Sequence, residues 1–549
     1  MDETPCFQVR HPMRPILLYD TTLRDGTQGE NIHFSAADKA AIAQSLDRFG
    51  IHYIEGGWPG SNPKDRQFFE MAKEIRFKNA KLTAFGSTRR PGIGPEDDEN
   101  LKALLESKTP VVAVFGKSWI LHVKDVMQNT PEENLAMIRD TAAYLSEAGR
   151  EIIYDAEHFF DGYKDNPDYA LETLFAAVEG GARRLVLCDT NGGTLPHEIE
   201  AVIHEVCRRL SETHPTVSED GCILGIHTHN DCGMAVANAL AAVRAGATLV
   251  QGTINGYGER CGNADLVCLI PVLALKMHHP CVPVENLTRL KRLSRFVSET
   301  ANIVPLNSRP FVGRSAFAHK GGIHVSAVAK NPRAYEHIDP QLVGNHRRVL
   351  VSDLSGKSNI EYKAKELGIE LGGNGFDSRE IVSRIKELEQ DGYEFDAAEG
   401  SFRILVQKLT EQFRPLFELE SFRVTIEKNR DAPCSAHATI KISVGGKQEI
   451  TAAEGDGPVS ALDNALRKAL QTFFPEIDGM HLVDFKVRVI DGREGTASKV
   501  RVLIDSRDQD HIWSTIGVSK DIIEASWKAL EDSFQYKLSA VSASNGNGG

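Results

Sequence analysis

The amino-acid sequence predicts an α/β protein: a closed (β/α)8 (TIM) barrel, then helical linker subdomains, then a C-terminal α+β domain of two βββα units. Three observations carry this. Between residues 16 and 276 short apolar runs alternate eight times with amphipathic stretches, and eight βα units in about 260 residues is the size and count of such a barrel. After residue 284 the pattern turns to helices and loops. From residue 422 three alternating strands followed by a helix occur twice in tandem.

The barrel strands are expected at 16–20, 53–57, 82–86, 111–115, 151–155, 184–189, 223–227 and 249–253. The helices between them carry their own start signals. Ser35 followed by Asp38 resembles a capping box, in which two side chains reciprocally satisfy backbone N–H groups. Thr130 followed by Pro131 puts proline at the first helical position, where its missing N–H has no helical partner to lose. Residues 235–245 and 263–276 continue the alternation. An open doubly wound sheet is the alternative, and a full set of eight units favours closure.

The linker helices are expected at 287–301, 357–367, 379–391 and 400–413. The first βββα unit reads as strands 422–427, 438–444 and 447–454 with a helix at 458–473. The second reads as strands 482–489, 499–506 and 511–517 with a helix at 520–534. The expected divisions are therefore a catalytic barrel over 1–283, linker subdomains over 284–413, a regulatory or dimerising domain over 414–538, and a small, polar, disordered tail over 539–549. The C-terminal repeat carries no catalytic signature, and a purely structural role is its alternative.

Composition narrows the partners. A net charge of -13 argues against broad binding to nucleic acid or anionic membranes, while leaving room for a local basic pocket. The nine cysteines are scattered with no CxxC pair, which fits reduced thiols in a cytoplasmic protein rather than a disulfide framework or zinc cluster. Neither a signal-peptide core nor an apolar run of membrane-spanning length is present in the sequence.

A barrel places its active site at the C-terminal ends of the strands, so unusual polar residues should gather just after each apolar run. They do. The segment HTHND (227–231) follows the seventh strand, and residues i and i+2 of a strand face the same side, so His227 and His229 can share one metal ion or simply pair with each other. The segment DTTLRDGTQ (20–28) closes the first strand and offers two aspartates. Either Asp20 or Asp25 could complete a two-His, one-Asp donor set that leaves positions open for substrate oxygens; the bland role for Asp20 is capping or pairing with an arginine. After the eighth strand comes GYGERCGN (256–263), a glycine-rich loop beside the same mouth.

Together and in order, these three segments resemble the signatures of the 2-isopropylmalate, homocitrate and citramalate synthase family. That family also carries a barrel, helical linkers and a βββα-repeat regulatory domain, so the resemblance spans nearly the whole chain. GGWPGSNPKD (56–65) and YDAEHFFDG (154–162) look like its citramalate branch. The isopropylmalate branch usually has a Gly-Phe-Pro segment after strand two, from which Trp58 departs.

The resemblance implies Asp25, His227 and His229 as ligands of a divalent ion (Mg, Mn or Zn), with Asn263 as a further ligand. Arg24 would face the keto-acid carbonyl, its alternative being an ion pair with a carboxylate such as Glu55. Thr190, in DTNG (189–192), matches a residue that binds the substrate carboxylate, and would otherwise cap the next helix. Glu157 occupies the active-site glutamate position. In FAHKGGIH (317–324), a linker segment, His324 matches a catalytic histidine, and Tyr335 a nearby tyrosine.

The implied reaction joins acetyl-CoA, the co-substrate, to pyruvate. Glu157 and His324 are the candidates for the base that deprotonates the thioester methyl. Substrate choice is expected from Phe85, Phe115 and Asp155 near the ends of strands three to five. The resemblance further implies a homodimer and an isoleucine effector on the C-terminal domain. Rival readings are isopropylmalate or homocitrate synthesis, a hydroxymethylglutaryl-CoA-type lyase, and a non-catalytic metabolite sensor.

Overall fold

The computed structural model describes residues 14–214, 223–352, 356–366, 378–428, 430, 433–490, 498–508 and 511–546. The chain packs as two units, the first holding residues up to Phe317 together with Asp339–His346, the second Ala318–Ile338 and the remainder from Arg347.

In the first unit eight strands close a parallel barrel: β1 (Leu17–Asp20), β2 (Tyr53–Gly57), β3 (Lys81–Ser87), β4 (Val111–Lys117), β5 (Glu151–Glu157), β6 (Arg184–Asp189), β7 (Ile223–Thr228) and β8 (Leu249–Gly252). Closure is made by β1, which pairs with β2 on one side and β8 on the other, Tyr19 lying opposite both Tyr53 and Gln251. All eight strands fall where the apolar runs predict, with ends shifted by at most two residues. The helix starts are also as expected. Ser35 and Asp38 form a capping box on Ala36–Phe49, and Thr130 caps Pro131–Glu147 by accepting from Glu133 N–H. The segment expected as one helix over 263–276 is an α-helix, Leu266–Pro271, continued by a π-helical turn, Val272–Lys276.

Alternate residues of the strands pack together inside the barrel. Tyr19, Tyr53, Val111, Ala113, Ile153, Val186 and Leu249 form one buried cluster. Below it Glu151 ties Tyr53 Oη (2.8 Å), Arg184 Nε (2.5 Å) and Lys81 Nζ (2.6 Å) into a polar plug. Filling the interior from below leaves the upper strand ends as the place where polar side chains converge.

The second unit opens with a two-stranded pairing of β9 (Ala318–His319) with β10 (Arg348–Val349) and the helix Gly322–Lys330. Helices Lys357–Glu366, Ser378–Gln390 and Glu399–Leu409 follow, near the expected linker helices. The repeat is two antiparallel sheets, β11 (Glu418–Glu427), β12 (Ser435–Val444), β13 (Lys447–Gly455), and β14 (His481–Val489), β15 (Val500–Arg507), β16 (Ile512–Ser519). Helices Pro458–Gln471 and Ile522–Gly546 share a core with them that includes Ile440, Leu466, Ile504 and Leu530. The last helix runs through most of the segment expected as a disordered tail: small residues such as Ala and Ser do not break a helix already nucleated by a packed stretch. Residues 547–549 lie outside the described residues. No helix among the described residues is long and apolar enough to cross a membrane.

Candidate active site

Just past β1 the chain turns tightly. Asp20 shapes that turn, accepting from the Thr22 N–H at 3.0 Å and the Thr22 hydroxyl at 2.8 Å. A 3₁₀ segment, Asp25–Gln28, follows. It is Asp25 that reaches the histidines, its Oδ2 lying 3.3 Å from His227 Nε2 and 3.9 Å from His229 Nε2. The two Nε2 atoms are 3.1 Å apart. The choice that composition left open between the two aspartates is thus made by contact: Asp20 is used by its own turn.

Asn263 arrives from the loop after β8, held by a β-bridge to His229. Its Nδ2 donates to Asp25 Oδ2 at 2.8 Å and lies 3.3 Å from His227 Nε2. The loop needs its glycines. Gly258 has φ +155°, and a Cβ there would sit 2.0 Å from Asn263 Oδ1.

This donor set fits a divalent cation. The ligand atoms of Asp25, His227 and His229 all lie within 4.8 Å of one another, and all three residues are buried. One buried polar atom at the same place, Asn263 Oδ1, has no hydrogen-bond partner among the described residues. Turning the Asn263 amide about its axis exchanges nitrogen for oxygen at the same position. One carboxylate, two imidazoles and an amide oxygen then converge, a set suited to an ion that also takes substrate oxygens.

The electrostatics agree. Burial alone would raise the Asp25 carboxyl, but Arg24 and the two imidazoles outweigh it and hold it well below the usual carboxylate range. Burial would lower His227, yet the hydrogen bond and charge of Asp25 leave it raised. Burial and then the neighbouring His227 push His229 down to about 3, so it is a neutral imidazole at pH 7.

A cavity of about 200 Å³ opens above this cluster. Arg24, Asp25, Phe85, Phe115, Asp155, Glu157, Thr190, His227 and His229 all line it, so the closed barrel brings these expected residues together. Arg24 Nε donates to Glu55 Oε1 at 2.5 Å while its guanidinium lies 3.8 Å from the centre of the Phe85 ring. The ion pair suspected from sequence is real, and it aims the arginine into the cavity. Glu157 pairs with Lys117 at the ends of β5 and β4. Thr190 Oγ1 accepts from His158 N–H at 2.8 Å. It does not cap the next helix, Pro196–Thr213, whose N-cap position is Leu195. His324 and Tyr335 belong to the second unit, where their rings lie 4.3 Å apart.

Sequence reasoning missed Gln28, Cys188, Glu259 and Arg260, which also line the cavity, and did not count Trp58 as a site residue. It also missed Gln251, and it raised Glu55 only as a possible partner of Arg24. Both are polar residues within otherwise apolar strands, and a buried polar side chain needs a partner; that signal was available.

A family model described as HMGL-like matches residues 15–297. A model for the homocitrate synthase post-HMGL domain matches 311–393, and one for the LeuA allosteric (dimerisation) domain matches 396–538. The chain is 53% identical to an (R)-citramalate synthase of Aquifex aeolicus over 95% of its own length and 98% of the relative's. It is equally similar, at 53% over 96% and 98%, to an (R)-citramalate synthase of Geobacter sulfurreducens. The chain belongs to the (R)-citramalate synthase family. Similarity to a probable 2-isopropylmalate synthase of Methanopyrus kandleri is lower, 32% over 94% of this chain and 97% of that one. As a citramalate synthase family member it carries an allosteric-type domain, and its Asp25, His227 and His229 form a buried triad consistent with a divalent metal site.

Proposed function

We propose that this chain condenses acetyl-CoA with pyruvate and water to give (R)-citramalate and free CoA, an acyl transfer in which the acyl group becomes an alkyl group, in the cytoplasm and on the route to isoleucine. The observation that supports it best is a single cavity in which the Asp25–His227–His229 triad faces Arg24, Thr190 and Glu157. The relatives' name supplies the product.

Asp25, His227 and His229, with Asn263 as a further donor, would hold a divalent ion (Mg, Mn or Zn), which would supply Lewis acidity for the keto-acid carbonyl. Arg24 holds the oxygen that becomes an alkoxide, its charge kept in place by Glu55. Thr190, already accepting from His158 N–H, keeps its own hydroxyl proton for the substrate carboxylate. Phe85, Phe115 and Asp155 bound the pocket for the small methyl group. Glu157 or His324 takes a proton from the thioester methyl, with Tyr335 beside His324 as its partner. The freed electron pair adds to the carbonyl carbon, and the carbonyl π pair moves to oxygen. Water then adds to the thioester carbonyl, and CoA leaves as its thiol. The C-terminal domain would bind isoleucine as effector and join two chains in a homodimer.

The test is thiol release from acetyl-CoA with pyruvate, 2-oxobutanoate, 2-oxoisovalerate and 2-oxoglutarate, each with and without a chelator. Chelator-sensitive release that is fastest with pyruvate is expected. A preference for 2-oxoisovalerate would move the substrate to the isopropylmalate reaction, and no release with any acid would overturn condensation altogether.

A further inference from the structure

We infer that Gln251 and Asp155 form a positioning relay beneath the metal centre, fixing which nitrogen of His227 faces the ion. Gln251 lies on β8 with no exposed surface. Its Oε1 is 2.7 Å from His227 Nδ1. At its other end Nε2 donates to Asp155 Oδ1 at 3.0 Å, across the barrel interior on β5. The inference rests on the reading of Asp25, His227 and His229 as ligands, not on the reaction.

The argument is one of donors and acceptors. An amide is nearly symmetric in shape, so Gln251 alone could turn either its oxygen or its NH2 toward His227. An NH2 there would demand a lone pair on Nδ1 and force the proton onto Nε2, the nitrogen that faces Asp25 and His229. When ionised, Asp155 offers its oxygen only as an acceptor and selects the orientation with NH2 toward itself; burial raises this carboxyl to about 7, so the selection operates above that pH. Gln251 Oε1 then accepts from Nδ1–H, and Nε2 presents its lone pair to the site. Burial makes the selection stringent, because a buried polar atom left without a partner costs far more than one at the surface. Outer partners of this kind orient a histidine ligand and raise its basicity. The relay also gives Asp155 a role distinct from touching substrate.

The experiment measures affinity for Zn²⁺ by competition with a chromophoric chelator, and the visible absorption of the Co²⁺-loaded protein, in the full chain without acetyl-CoA or keto acid. Gln251→Leu is expected to weaken Zn²⁺ binding by about 10–100-fold and to shift the Co²⁺ bands. The double variant Gln251→Glu with Asp155→Asn rebuilds the same polarity: the new carboxylate accepts from Nδ1–H and from the new amide. It is expected to recover most of the Zn²⁺ affinity lost in Gln251→Leu. Should Gln251→Leu not fold, Asp155→Leu removes the orienting acceptor from the other end, and the same loss is expected. Leu variants that bind as tightly as the parent, or a double variant as weak as the Leu variant, would overturn the relay. Because no substrate is present, failure of the proposed reaction leaves this result intact, and the reverse.

Discussion

The indole of Trp58 meets the ring of Phe115 edge-on, with centroids 5.6 Å apart and planes 80° apart, and it meets Phe85 in the same way at 5.8 Å. Trp58 is held from behind: its Nε1 donates to Asn100 Oδ1 at 2.7 Å, and its backbone N–H to Asp65 Oδ2 at 2.9 Å. Asp65 is in turn buried against Lys39. Three fixed rings therefore wall one side of the cavity. Trp58→Leu should open it, raising kcat/KM for 2-oxoisovalerate relative to pyruvate by about 10–200-fold, the worth of one or two methylenes in an apolar pocket. An unchanged ratio in paired kinetic assays would place the specificity elsewhere.

Arg24 uses its planar shape twice, with Nε on Glu55 and its face on Phe85. Lysine has no planar face and cannot make both contacts at once. Arg24→Lys should lower kcat by about 10²–10³-fold, the usual loss when one preorganised donor to a developing oxyanion is removed. The KM for pyruvate should change much less. A loss confined to KM would show that Arg24 only binds.

His227 governs the pH dependence of metal uptake. Asp25 raises its pKa, and the proton it carries below that pKa occupies the nitrogen a metal needs. Zn²⁺ affinity should therefore fall about tenfold per pH unit below the His227 pKa and be flat above it. His229, pushed to about 3, adds nothing in this range. Chelator competition at a series of pH values checks the slope; a slope twice as steep would mean that two protons are displaced.

Asp20 should make the protein less stable as pH rises. Burial pushes its carboxyl to about 7 despite the hydrogen bonds from Thr22, against 3.8 for the unperturbed group. Below the lower value both folded and unfolded chains hold the proton and there is no penalty. Between the two values only the folded chain holds it, so stability falls with rising pH, and the loss is complete above about 7. Asp20→Asn keeps an acceptor for Thr22 and does not ionise. Its advantage over the parent in thermal unfolding should grow from acidic to mildly alkaline pH by on the order of 2–4 kcal/mol. An advantage independent of pH would refute the assignment.

The strands of the barrel were legible because burial on both faces leaves continuous apolar runs, and Gly, Pro and capping residues punctuate them. The repeat in the second unit was legible for a similar reason, a period-two pattern occurring twice before a period-3.6 one. Helix ends were less so. The chain past Leu538 reads as a tail by composition, yet it continues the helix Ile522–Gly546.

By itself the sequence determined the order of elements, the gathering of polar residues at the strand ends, and the two histidines two residues apart on β7. Those are local properties, set by spacing along the chain. Tertiary structure decided which aspartate meets them, what aims Arg24, and what lies beneath His227. Asn263 and Asp25 are 238 residues apart and share a hydrogen bond. Gln251 joins residues of β5 and β7 that no local pattern connects. Such contacts exist only once β1 pairs with β8, because closing the barrel is what sets the register that brings those side chains within hydrogen-bonding distance.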